Sequence, residues 1–174
     1  MRSLVLINIA ILLVMFSACN KPALNDEQIV ACKDALKSLR KVQAATQVGV
    51  NTQQYPQLLV DAKANVNAAS ALLPDGDLRN QLQKTMDAYV DVAGLWRHKI
   101  ESPSYLSDTI SASEEPWKTM IMKYSLQTEP NLIYGGAGQP PIPGIHIDKC
   151  IPVIWARADS YLDESEKAFR KLVH

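Results

Sequence analysis

The chain has 174 residues, with 18 Lys and Arg against 18 Asp and Glu and a formal net charge of zero. That balance gives no basic excess to hold nucleic acid and no acidic tail, so no nucleic-acid partner is expected. Hydrophobic residues make up 47% of the chain but aromatic ones only 6%; alanine, leucine and valine must do most of the packing, which favours close-packed helices.

The first stretch reads Met1-Arg2-Ser3, then an apolar run Leu4–Phe16 broken only by Asn8, then Ser17-Ala18-Cys19. One positive charge, an apolar run too short to stay in a bilayer as a spanning helix, and small residues behind it make a signal peptide. Phe16-Ser17-Ala18-Cys19 resembles the lipobox of bacterial lipoproteins, with Phe16 where that family more often has Leu. The resemblance implies that the Cys19 thiol is diacylated, that the chain is cut just before it, and that the new amine is acylated. Residues 1–18 are then the signal peptide, 19–25 an acylated anchor and short tether, and 26–174 one domain. Each acyl methylene in lipid contributes ~0.8 kcal/mol, so membrane lipid is the expected partner. Asn20 in place of Asp points, by the family's sorting habit, to the outer membrane facing the periplasm. The tether from Cys19 to Asn25 reaches only ~20 Å.

Four long amphipathic helices are expected after it. The first spans about Asp26–Thr46, with Asn25 and Gln28 as a capping-box pair and Ile29, Cys32, Leu36, Leu39 and Val42 or Gln43 on its buried face. The second spans about Gln53–Leu73, with Pro56 in its first turn and Tyr55, Leu59, Ala62, Val66, Ala69 and Leu73 facing inward; Pro74-Asp75-Gly76 ends it. The third, about Asp77–Glu101, carries a stripe that includes Leu78, Leu82, Met86, Tyr89, Val90 and Trp96, and Pro103 stops it. The last runs from Asp148 or Lys149 to Val173, with Cys150, Val153, Ile154, Tyr161, Ser165 and Phe169 among its inward positions. Helices of matched length make a bundle, so the fold class is all-α: a four-helix bundle.

Residues 102–147 differ in kind, with six of the ten prolines and four of the seven glycines. A short helix at Glu114–Leu126 and an irregular loop over Thr128–Ile147 are expected, the whole forming a long, partly helical crossover. Cys32 and Cys150 remain once Cys19 is acylated. In an oxidising compartment they are expected to form a disulfide, with two buried free thiols as the alternative. A bridge would set the start of the last helix beside the start of the first, and the crossover would then carry the chain back along the bundle.

No pattern names a reaction. His98, His146 and His174 form no H-x-x-x-H or H-E-x-x-H, and there is no C-x-x-C-H, no G-x-S-x-G and no Glu-x-x-His. His146 and Asp148 could offer two metal ligands, but a surface histidine beside a helix start is the commoner meaning; neither metal nor cofactor is expected. Trp117, Trp155, Tyr105, Tyr124 and Tyr134 lie in or near the irregular segment and are the candidate contact surface. Leu36–Lys41, Val48-Gly49-Val50, Tyr55, Asp61-Ala62-Lys63 and Leu73–Gly76 together resemble a helical domain of uncharacterised bacterial exported proteins, over roughly residues 35–100. The resemblance implies a helical fold and export, with no activity attached. The expectation is a lipid-anchored envelope protein with a non-catalytic binding or structural role, an envelope protein being its possible partner; the alternative is a small-molecule-binding helical module in the periplasm.

Overall fold

The computed structural model describes residues 23–102, 108–133 and 140–173. Cys19, Tyr105, Tyr134 and His174 lie outside them. The chain is mostly helical with a small antiparallel sheet. In order it forms α1 (Asp26–Val48), α2 (Gln54–Leu72), α3 (Asp77–Glu101), β1 (Thr109–Ser111), α4 (Trp117–Tyr124), β2 (Glu129–Ile133), β3 (Ile142–His146) and α5 (Ile147–Val173).

Helix α1 starts where its cap dictates. The Asn25 side chain accepts from the Gln28 backbone N–H at 2.8 Å, and the Gln28 side-chain Oε1 accepts from the Asn25 N–H at 3.0 Å, closing the expected capping box. The Gln28 amide also donates to the Leu72 carbonyl at 2.8 Å, tying the start of α1 to the end of α2. Asn25→Ala should therefore lower stability by about 1 kcal/mol, measured by urea unfolding; an unchanged midpoint would show that the cap carries no weight here.

The buried faces follow the helical period. Cys32, Leu36, Leu39 and Val42 on α1 and Tyr55, Leu59, Ala62, Val66 and Ala69 on α2 are buried. On α3 the buried set includes Leu82, Tyr89, Val92 and Leu95, and Val90 faces out at 36% exposure. On α5, Ile151, Ile154, Ala158 and Leu162 are buried and Val153 is 47% exposed. Val90 and Val153, expected inside, are thus corrected: each sits roughly 100–200° around its helix from the residues that do pack.

The direction of α5 overturns the expected crossover. Gln81 meets Glu164, Tyr89 meets Asp159, Trp96 meets Trp155 and Lys99 meets Asp148. As numbers rise along α3 they fall along α5, so the two are antiparallel. The α1–α5 contact agrees: Arg40 Nε donates to Glu166 at 2.6 Å and Nη2 to Asp163 at 3.0 Å, while Leu24 lies near Ala168 and Leu172. The four long helices run up, down, up, down, and the described residues between α3 and α5 form an excursion at one end, not a return path. The Arg40 guanidinium holds the Glu166 carboxyl below its ordinary value. The stability from this pair is therefore whole above about pH 4.5 and is lost as pH falls through the lowered value.

Cys32 and Cys150 are accordingly at opposite ends. Seven residues into α1, Cys32 lies level with the last turns of α5, and Cys150 sits in the first turn. At 1.5 Å per residue the offset is about 25 Å along the helices, far beyond the ~7 Å a cystine spans. Both thiols are free and buried, and the expected disulfide is corrected to two separate core cysteines. Burial pushes each thiol from 9.0 up to about 11. A folded-state value above the unfolded one means stability that is whole below pH 9 and lost as pH rises through 11. Thermal melts over that alkaline range should fall less steeply for a Cys32→Ala, Cys150→Ala variant than for the native sequence, and reductant should not change the melting temperature. A reductant-dependent melt would contradict the separation.

The excursion contains a sheet that the irregular-loop expectation missed. Its strand order is β1-β3-β2, antiparallel throughout, with Ile110 opposite Ile145 and Ser111 opposite Gly144. Pro143 falls in the central strand, where it lacks an N–H to donate. Its carbonyl accepts from Ala112 N at 2.9 Å on one side, and the register of β2 is irregular opposite it on the other. Ile110 and Ile145 are buried beneath the sheet. Lys99 on α3 fastens this end, with Nζ 3.0 Å from Asp108 before β1 and 2.8 Å from Asp148 on α5.

Candidate functional site

Of the five aromatic residues expected to share a contact surface, the three described ones do not share one. Tyr105 and Tyr134 lie outside the described residues. Tyr124 is 2% exposed; its hydroxyl donates to Asp91 at 2.7 Å, and Lys123 reaches the same carboxylate oxygen at 2.9 Å. Burial of the ring, with Asp91 beside it, pushes the Tyr124 hydroxyl well above the usual tyrosine range. Tyr124 is a fastener between α4 and α3 and is not available to a partner.

Trp155 and Trp117 lie on opposite sides of α3. Trp155 stacks edge-on with Trp96 at 5.6 Å between ring centres, and Trp96 with Tyr55 at 4.8 Å. The Trp155 indole N–H donates to the Tyr55 hydroxyl at 3.2 Å, and that hydroxyl donates to the Tyr89 carbonyl at 3.0 Å. Tyr89 in turn donates to Asp159 at 3.3 Å. The polar tips of Tyr55, Tyr89 and Trp155 each have a partner, which makes the cluster a structural pin joining α2, α3 and α5. Trp117 stands against His98 at 5.2 Å, two residues from Trp96 and so about 200° around α3. With Asp91, Gly94, Met120 and Lys123 they line a side groove of about 480 Å³. His98 Nε2 is 3.2 Å from the Ser102 hydroxyl, and among the described residues no carboxylate pairs with His98. His146 Nε2 lies 3.5 Å from Glu129, which Lys149 also holds at 2.8 Å. No group of three potential metal ligands occurs among the described residues.

The larger concavity is one that no motif or spacing in the chain foreshadows. At the end where α1 and α3 begin and α2 and α5 finish, a groove of about 720 Å³ opens. That size lies within the range of small-molecule sites. Its apolar surface comes from Leu24, Leu73, Leu78, Ala168 and Leu172. Leu24, Leu73 and Leu78 are otherwise buried at 9%, 4% and 3% exposure, so the walls are core side chains seen edge-on. The rim is charged: Lys167 and Lys171, one turn apart on α5, stand across from Asp77, and Glu164 accepts from the Gln81 amide at 3.2 Å. Gln81, also in the lining, has its side-chain Oε1 buried without a partner. Arg79 and Asp75 neutralise each other at 2.7 Å. These residues come from the ends of four separate segments. Leu24 follows Pro22 and Ala23 in the tether, and its place in the sequence marks no ligand site.

Among the described residues no helix is long and apolar enough to cross a membrane. No family model, curated protein or solved structure matches the chain.

Proposed function

We propose that this is a lipid-anchored envelope protein: a four-helix bundle held at a bacterial membrane through acyl chains on Cys19, with a non-catalytic binding or structural role. The Phe16–Cys19 run supports the anchoring, and the placement of Leu24 sets which end of the protein that anchor would hold to the membrane. Five residues after Cys19, Leu24 is already packed at one end of the helices, beside the α2–α3 turn and the last turn of α5. A chain of five residues spans at most ~17 Å, so that end must lie against the lipid and the sheet end must point away from it. With helices α1 and α3 of 23 and 25 residues, the sheet stands about 35 Å further out. The bundle reading draws on the up-down-up-down packing of four helices of similar length. The outer membrane is the proposed location, on the strength of Asn20.

The end groove favours the second reading, a small-molecule-binding module, because it combines apolar walls with charges of both signs that make no ion pair among the described residues. The anchoring itself is tested by fractionating cells that express the native sequence or Cys19→Ser. The native protein should be in the membrane fraction with acyl mass on its Cys19 peptide, and processing should be blocked by globomycin. Cys19→Ser should lack both the acyl mass and the globomycin sensitivity. Unmodified Cys19 in a soluble native product would overturn the reading.

A further inference from the structure

We propose that the end groove binds one molecule of a zwitterionic phospholipid with an amine-bearing head group, drawn from the bilayer beside it. The inference rests on the proposed anchoring, which brings this end to the lipid surface; the recognition itself rests on the groove. Leu24, Leu78, Ala168 and Leu172 offer an apolar bed for an acyl chain. Two kinds of charge remain uncommitted at the rim. Lys167 and Lys171 make no ion pair among the described residues and are exposed, so they can take a phosphate. Asp77 and Glu164 face the same opening, and Glu164 is engaged only by a neutral amide, so they can take an ammonium. Equal numbers of free cations and anions match a head that carries one of each, and they disfavour a purely anionic lipid.

Three other features were weaker claimants to a ligand. The side groove at Trp117 has its Asp91 already held by Lys123 and Tyr124, and its remaining charges, Arg97 and Glu101, stand one turn apart on the same helix and single out no ligand. The seam between α1 and α2 at Val30 and Leu72 has nothing that selects an occupant. The His98–Ser102 pair lacks a third member.

The test uses the full chain extracted from membranes in a mild detergent, with native mass spectrometry after adding phosphatidylethanolamine or phosphatidylglycerol. One phosphatidylethanolamine adduct per protein is expected, at least tenfold preferred over phosphatidylglycerol. Lys171→Glu, at an exposed position, should weaken the adduct tenfold or more, and Ala168→Trp should abolish it by filling the groove. Val60→Trp, on an exposed face of α2, should leave it intact. Equal retention of the two lipids, adducts indifferent to Lys171→Glu, or a dimer seated through this end in place of lipid would each overturn the proposal. Covalent acyl mass on the Cys19 peptide reports the anchoring, and the non-covalent adduct reports the groove, so either can fail without the other.

Discussion

Tyr55→Ala is expected to lower the unfolding free energy by roughly 5 kcal/mol, well beyond the loss of a helix cap or a surface ion pair. The ring is fully buried, so its removal leaves a cavity among Trp96, Trp155 and the α3 backbone. The hydroxyl is the acceptor for the Trp155 indole N–H and a donor to the Tyr89 carbonyl, so both groups lose a partner. Tyr55→Phe separates the two contributions. It keeps the ring and removes the hydroxyl, and should cost about 1 kcal/mol, because the half-buried Trp155 can recover part of its bond from water. Urea unfolding of the two variants measures both. If Tyr55→Phe were as damaging as Tyr55→Ala, the hydroxyl network and not the packing would be holding α2 to α3 and α5.

Gly144→Val is expected to detach the sheet while leaving the long helices folded. Gly144 is in the central strand, and a Cβ there would lie 2.9 Å from the Ile110 carbonyl oxygen and 3.1 Å from Ile133 Cδ1. The first neighbour is backbone of β1 and cannot move without breaking its pairing with β3. The Ile133 side chain on β2 blocks the other way out. Overpacking of this kind costs about 3 kcal/mol, which a three-stranded sheet of short strands cannot absorb locally. Limited proteolysis should then cut within residues 108–133 or 140–146 in the variant and not in the native protein, with little change in the helical circular dichroism signal. Resistance equal to that of the native chain would show that the sheet tolerates a side chain at this point.

The helices were legible because each is long enough to repeat its pattern several times. All six inward positions read for the second helix, from Tyr55 to Leu73, are buried, Leu73 as the residue that follows its last turn, and α3 begins and ends at Asp77 and Glu101 as expected. The errors at Val90 and Val153 arose where two apolar residues stood side by side and periodicity alone could not choose between them. The sheet was not legible for a different reason. β1 has three residues, and both β2 and β3 contain a proline, so none shows a clean alternation. The direction of the last helix was misjudged through the cysteines: an oxidising compartment argues for pairing, but it does not say that two thiols are close. The end groove had no signature, since helix termini distant in sequence meet there only after packing.

The contact of Lys99 with both Asp108 and Asp148 has a bearing on how the molecule could vary. Where the third long helix stops, the last one starts, within the reach of one lysine side chain. No distance needs to be bridged, and a turn of a few residues would join two such helices. The strands and short helix inserted there are thus spared any duty as a connector. Their form is free to follow whatever the outer end of the protein meets, provided that Tyr124 and Ile145 still cover the helices beneath them.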